Sequence, residues 1–227
     1  MPVEEPDRAT VSEFQRALLE WYARHGRHFA WREPRVGSYA TLVAEVLLQR
    51  TPAPRADPVV RAVLAQYPRV EALSEADPAD LEAFLAPLGL QKRRAKSLRL
   101  LATRIREIHG GRVPRSYDAL VALPGVGDYV ARAVRAFGFS YREPVVDVNV
   151  LRVYNRAFGV PVRRPASDPR RNAHAVDLAK RMLPEDRRSA KKFQWALLDL
   201  GALACTPASP NCEECPAGPW CRSRGRV

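Results

Sequence analysis

Four cysteines lie close together near the C-terminus, and thiolate sulfur is a ligand that soft metals prefer. Their spacing is C-x6-C-x2-C-x5-C, with prolines and a glycine between them. A reducing compartment disfavours disulfides, so a bound metal is the better account. Zinc sites more often use two close pairs, whereas a single C-x2-C flanked by short loops suits a cubane cluster. The spacing leaves a [4Fe–4S] cluster, zinc and free thiols open for Cys205, Cys212, Cys215 and Cys221.

A glycine-bearing turn is the second candidate site. Leu-Pro-Gly-Val-Gly at 123–127 precedes an apolar run with helical spacing. Free N–H groups at the start of a helix bind anions, so a phosphate is the natural guest. The alternative is a tight turn that only packs two helices together. Asp147 follows downstream, as either a charged functional group or a plain helix N-cap.

The charge balance indicates a polyanionic partner. Lys and Arg number 37 against 25 Asp and Glu, for a formal net charge of +12. Such a surface suits nucleic acid or an anionic membrane. No apolar stretch reaches the roughly 18 residues that span a bilayer, and the acidic N-terminus is not a signal peptide. We therefore expect a soluble cytoplasmic protein that makes no membrane contact.

The elements that must position these residues are predicted to be helices. Thr10 and Glu13 form a capping-box pattern for a first helix, and a second helix is predicted over 38–51. Asp57-Pro58 and Asp77-Pro78 each read as an N-cap followed by proline at the first helical position. Sustained period-two alternation is missing from the sequence, so the fold class is all-α. Further helices are predicted over 90–108, 149–158, 172–183 and 189–203.

Together these motifs resemble the endonuclease III superfamily of helix-hairpin-helix DNA glycosylases. The resemblance rests on residues 123–127, Val-Val-Asp-Val-Asn at 145–149 and the cysteine tail, and it covers nearly the whole chain. It implies a [4Fe–4S] cluster at the four cysteines and an essential role for Asp147. It also implies two helical domains with a DNA cleft between them. The six-helix domain with the hairpin would span 31–141, and the cluster domain 1–30 plus 142–227.

Within the superfamily, bifunctional members carry a lysine in the first turn after the hairpin glycines. Tyr129 stands at that position, and the sequence has no lysine between 97 and 179. A β-lyase needs an amine to form a Schiff base with the sugar. The sequence therefore predicts a monofunctional glycosylase.

The resemblance leaves the excised base open. Glu45-Val46-Leu47-Leu48-Gln49 is shared with adenine glycosylases, which usually carry a further C-terminal domain that senses 8-oxoguanine. The chain ends six residues after Cys221, so we expect that domain to be absent. Gly89-Leu90-x-x-x-Arg94-Ala95, residues 110–115 and Tyr129 resemble the thymine mismatch glycosylases more closely.

The predicted function is therefore removal of T or U opposite G during base excision repair, by a monomer acting on double-stranded DNA with a mismatched or damaged base near the nucleoid. One alternative is an adenine glycosylase acting opposite G or 8-oxoguanine. A second alternative is a non-catalytic DNA-binding iron–sulfur protein.

Each site residue then has an expected role. The enzyme must flip the target base out of the duplex, and Gln49 matches the residue that enters the vacated stack, unless it is a solvated helix end. Asp147 would stabilise an oxocarbenium-like sugar and orient water. Glu45 would donate a proton or bind the base edge, and Tyr129 would line the pocket or merely pack. The loop 206–211 lacks the Lys or Arg common in relatives, so we expect no phosphate contact from it. The residues expected to contact DNA are Gln49, Arg50, Leu123, Gly125, Val126 and Gly127.

Overall fold

The computed structural model describes residues 6–34, 36–162 and 172–226, and these are helical with no strand among them, as the sequence predicts. Most of the acidic segment used to exclude a signal peptide, residues 1–5, lies outside the described residues. None of the helices described combines the length and apolarity that a bilayer crossing requires. The helices are α1 (Arg8–His25), α2 (Ser38–Leu47), α3 (Ala53–Gln66), α4 (Val70–Ser74), α5 (Pro78–Leu85), α6 (Gln91–His109), α7 (Tyr117–Val121), α8 (Asp128–Ala133), α9 (Val148–Phe158), α10 (Ala173–Met182) and α11 (Arg187–Leu203).

The chain forms two compact units. One comprises His28–Phe139, and the other joins the described residues up to Arg27 with those from Ser140 onward. In the first unit, α6 packs against α4, α5 and α2. It buries one stripe at helical spacing: Ala95, Leu98, Leu101, Ala102 and Ile105. This stripe is the amphipathic pattern that the sequence predicts for the helix.

The second unit packs α11 against α9 and α1. Phe14, fully buried on α1, makes edge-to-face contacts with Phe158 and Phe193 at centroid distances of 5.2 and 6.0 Å. Asp199 on α11 is also fully buried, and Arg27 holds it with N–H···O distances of 2.8 Å from both the backbone and Nε. This core fixes the start of α9, where Asp147 lies.

Two predicted helix starts are wrong. The N-cap of α1 is Asp7, whose carboxylate accepts the N–H of Thr10 at 2.8 Å, so Thr10 lies inside the helix. Pro58 lies inside α3, which begins at Ala53. The Asp57 carboxylate instead accepts the N–H of Ala30 at 2.6 Å, a contact distant in sequence. Asp77 does cap α5, by accepting the N–H groups of residues 79 and 80.

Candidate functional site

The hairpin between α7 and α8 provides fewer free amides than the sequence suggests. Leu123 and Val126 are buried, and the Val126 N–H donates to the Leu123 carbonyl at 3.1 Å. Val126 therefore closes the turn. Its amide is not available to a phosphate, contrary to the DNA contact expected for this residue. Gly125 has φ +77°, which favours glycine. Within the described residues, the N–H groups of Gly125 and Gly127 have no hydrogen-bond acceptor.

An acidic side chain lies beside these amides. Asp128, the first residue of α8, accepts hydrogen bonds from the Tyr117 hydroxyl at 2.7 Å and from Arg132 Nε at 2.9 Å. Arg132 also offsets a negative charge that would otherwise repel an anion at the hairpin.

The segment after α2 brings Gln49 to the hairpin. The helix ends at Leu47 and not at residue 51 as predicted, so Gln49 and Arg50 are exposed in a turn. Gln49 Nε2 donates to the Gly125 carbonyl at 2.9 Å. Arg50 has φ +58°, a left-handed conformation that costs a non-glycine residue free energy. Two of the predicted DNA-contacting segments therefore meet within one unit.

Glu45 and Tyr129 lie on elements that contact each other. Glu45 is 5% exposed on α2, and α2 packs against α8. Tyr129 lies in the first turn of α8, partly buried against the same core. Burial of a carboxylate costs free energy unless polar partners compensate it, so the position of Glu45 is a candidate for a functional role.

Asp147 is the N-cap of α9, as one of its two expected readings requires. Its Oδ1 accepts the N–H groups of Asn149 and Val150 at 2.8 and 2.7 Å, and Oδ2 accepts Asn149 Nδ2 at 2.8 Å. Burial raises the pKa of Asp147, and these hydrogen bonds oppose that rise. The bonds fix the orientation of the carboxylate, so capping and a catalytic role are compatible.

Sequence reasoning missed the residues that hold Asn149. Arg152 Nη2 donates to Asn149 Oδ1 at 2.8 Å and to the Gly201 carbonyl at 2.7 Å, while Nε donates to the Cys205 carbonyl at 2.7 Å. A Cβ on Gly201 would lie 2.7 Å from Asn149 Cβ. The one available signal was a glycine inside a helix, which usually marks a close approach.

The cysteines form a half-buried loop after α11. Arg156 Nη1 lies 3.6 Å from Cys205 Sγ, and Cys221 Sγ lies 3.5 Å from the Arg156 carbonyl. Burial and, to a smaller extent, the charges of the other three cysteines raise the pKa of Cys215 to about 11. In the described part of the chain, no group of three or more His, Cys, Asp or Glu is arranged to hold a metal ion.

The donor set nevertheless suits an iron–sulfur cluster. All four donors are sulfur, which soft iron–sulfur centres use. Arg152 and Arg156 on α9 would offset part of the thiolate charge. The four C-terminal cysteines are therefore compatible with an iron–sulfur cluster.

Comparison with known proteins agrees with this geometry. Residues 43–175 match the model of the HhH-GPD superfamily base excision DNA repair protein. The chain is 36% identical to the thymine-DNA glycosylase of Aeropyrum pernix, over 95% of this chain and 96% of that protein. It is 40% identical to the adenine DNA glycosylase of Mycolicibacterium smegmatis, over 91% of this chain and 68% of that protein. A thermostable thymine-DNA glycosylase structure superposes with TM-score 0.84 at 29% identity, covering 96% of this chain and 97% of the other.

These similarities extend beyond the hairpin to nearly the whole chain, and they confirm the predicted resemblance, the all-α fold and the enzyme class. The chain therefore belongs to the HhH-GPD superfamily of base excision DNA repair proteins and is a DNA glycosylase whose partner is DNA.

Proposed function

We propose that this glycosylase removes T or U opposite G from double-stranded DNA as a monomer and leaves an abasic site. The observation that carries the substrate assignment is the similarity to a thymine-DNA glycosylase over almost the full length of both chains. With DNA as its substrate, the enzyme would work in the cytoplasm, on the nucleoid.

Asp147 would supply the negative charge for bond cleavage. Loss of the base leaves an oxocarbenium-like sugar, and a fixed carboxylate stabilises that cation without reorganising. The three hydrogen bonds from residues 149 and 150 hold the carboxylate in one orientation. The same group would orient the attacking water. Because burial raises the pKa of Asp147, its carboxylate becomes protonated at a higher pH than that of an exposed aspartate.

The distribution of lysines supports a monofunctional enzyme. Tyr129 occupies the position of the lyase lysine, and Lys92 and Lys96 are exposed on α6. Lys191 is half-buried, with Nζ 4.9 Å from the Trp195 ring centroid, and burial lowers its pKa. A lowered pKa favours a neutral amine, so Lys191 is the lysine to replace first if borohydride traps a covalent complex. Lys191→Arg would keep the ring contact and remove the amine.

We further propose that Cys205, Cys212, Cys215 and Cys221 hold a [4Fe–4S] cluster. When bound, the cluster would cross-link residues 205–221 to one another beside Arg156 of α9 rather than act on the base. Purified protein should absorb broadly near 400 nm, roughly as thiolate-ligated cubanes do. A colourless protein with one equivalent of zinc would contradict this assignment.

The DNA contacts follow from the hairpin unit. The N–H groups of Gly125 and Gly127 would bind a backbone phosphate, and exposed Arg50 would bind another. Gln49 would leave the Gly125 carbonyl and enter the stack vacated by the flipped base. Leu123 and Val126 would contribute through the shape of the turn, since their side chains are buried.

A panel of duplexes tests the function. Each carries one labelled strand with G·T, G·U, A·G, A·8-oxoguanine or a matched pair, and breaks are revealed by hot alkali. We expect G·T and G·U to be cut only after alkali, with Asp147→Asn as the inactive control. Breaks before alkali would contradict the monofunctional assignment, and excision confined to adenine would contradict the substrate.

Adenine glycosylase activity is the second candidate, favoured by the 40% identity to the Mycolicibacterium smegmatis protein. Buried Glu45 gives it a chemical basis, because an adenine ring nitrogen accepts a proton. Glu45→Gln should then abolish adenine excision, since the amide has no acidic proton. If T and U are the substrates, the same variant should lose less activity.

A further inference from the structure

Arg94 is unusual among the arginines of α6 because its guanidinium is directed at backbone. It is half-buried in the second turn of the helix. Nε donates to the Gly89 carbonyl at 3.1 Å, and Nη1 donates to the Leu47 carbonyl at 3.2 Å. Nη2 donates to Thr51 Oγ1 at 2.9 Å and lies 3.4 Å from the Gln49 carbonyl. Arg94 therefore donates hydrogen bonds to both ends of residues 47–51, which we call the Gln49 turn.

The Gln49 turn needs such a partner for two reasons. The last carbonyls of an α-helix have no N–H donor within the helix and carry partial negative charge, and Leu47 ends α2. Arg50 is held at φ +58°, a conformation that persists only when surrounding contacts determine it. The fork of Arg94 donates to the Leu47 carbonyl before this strained residue and to the Thr51 hydroxyl after it.

Arg94 and the hairpin hold different parts of the turn. The Gly125 carbonyl accepts a hydrogen bond from the side chain of Gln49, whereas Arg94 donates to the backbone of the turn and to the Thr51 hydroxyl. When Gln49 moves into the DNA stack, its bond to Gly125 must break. The contacts from Arg94 do not involve the moving side chain and are free to persist.

We propose that Arg94 is a positioning residue for base flipping, whose guanidinium holds residues 47–51 in the conformation that presents Gln49 and Arg50 to DNA. This inference rests on the proposed function, because Gln49 enters the DNA stack only if the enzyme flips a base out of the duplex. A lysine cannot replace the fork, since one ammonium cannot reach acceptors on both sides of the turn.

The test compares Arg94→Lys with Arg93→Lys, an exposed neighbour on the same helix. Both variants carry Asp147→Asn, so that flipping is measured without chemistry. The probe is a G·T duplex with 2-aminopurine beside the thymine, whose fluorescence rises when stacking is lost. We expect the flipping equilibrium to fall about tenfold for Arg94→Lys, as for loss of a charge-assisted hydrogen bond, and to stay within twofold for Arg93→Lys.

Coupling to Gln49 separates positioning from general destabilisation. In a double-mutant cycle, Arg94→Lys should have little further effect once Gln49→Ala is present. Thermal unfolding of each variant checks the fold. If Arg94→Lys flips normally, or if its effect adds fully to that of Gln49→Ala, the inference is wrong. The Asp147→Asn chain with Arg94 and Gln49 intact serves as the reference. If it gives no fluorescence change on any mispair, the proposed function is refuted instead.

Discussion

Asp147→Asn separates the two roles of one carboxylate, since it removes the charge and keeps the shape. Asparagine is as good an N-cap as aspartate, so the N–H groups of Asn149 and Val150 keep an acceptor. The difference lies at Oδ2, which now accepts Asn149 Nδ2 at 2.8 Å. In the variant two NH2 groups face each other there. Asn149 cannot rotate its amide without loss, because Arg152 donates to its Oδ1.

The structure sets the size of both effects. One unmade buried hydrogen bond should lower the free energy of unfolding by about 1–3 kcal/mol. Because burial raises the pKa of Asp147, the charged carboxylate destabilises the fold at neutral pH, and asparagine removes that penalty. A carboxyl with a raised folded-state pKa stabilises the fold fully below its unfolded value and loses that contribution as pH rises through the folded pKa. The stability deficit of the variant should therefore be larger in acid than at pH 7. Loss of the charge that we propose faces the sugar cation should slow excision at least about a hundredfold.

Single-turnover excision, DNA binding and denaturant unfolding measure the three quantities separately. Asp186→Asn is the matched control, because Asp186 also caps a helix by accepting the N–H of Ser189 at 2.8 Å. It should leave excision unchanged. The acid limb of the excision rate of the unsubstituted chain should lie above the ordinary aspartate value of 3.8. Near-normal excision by Asp147→Asn, or equal loss in both variants, would refute the reasoning.

Three further substitutions test other parts of the site. Tyr129→Lys should bring an amine to the sugar and produce a borohydride-trappable complex; no trapping would show that position 129 does not reach the sugar. Gly201→Ala should place Cβ against Asn149 and destabilise the fold by about 1–3 kcal/mol; slower excision at saturating DNA would show that Asp147 has moved with Asn149. Arg27→Met leaves the fully buried Asp199 without its guanidinium partner, 2.7 Å away, and should lower the free energy of unfolding by about 3 kcal/mol, measured by denaturant titration.

Local signals predicted the helices well where one signal was present. Asp77-Pro78 caps α5, and the apolar spacing of α6 gives its buried stripe. The sequence failed where two signals competed. Asp7 precedes the Thr10 capping box and takes the cap of α1. Asp57-Pro58 looks like a helix start, but the Asp57 carboxylate binds a distant amide. Tertiary partners of this kind leave no local pattern.

The candidate site shows the same division. The hairpin, Asp147 and the cysteines are marked by residue type and spacing, and the family similarity confirms the enzyme class. The contacts of Arg152 with Gly201 and Cys205, the close approach of Gly201 to Asn149 and the contacts of Arg94 with the Gln49 turn all join residues distant in sequence. Their donors are arginines, which a basic protein has in excess. Composition therefore gave no means to distinguish them from arginines that bind DNA.

That excess has a physical consequence for DNA binding. Arg94, Arg152 and Arg156 direct their guanidinium groups at backbone carbonyls within their own unit, so part of the net charge of +12 is already committed to the fold. A planar fork with several donors suits this task better than lysine does. Replacing these three by lysine would keep the formal charge and lose the contacts.

The salt dependence of DNA binding counts phosphates neutralised at the interface. It should therefore change little in Arg94→Lys, while flipping is impaired, and should weaken by about one phosphate contact when exposed Arg50 is replaced by alanine. The two measurements together distinguish arginines that build the site from arginines that bind DNA.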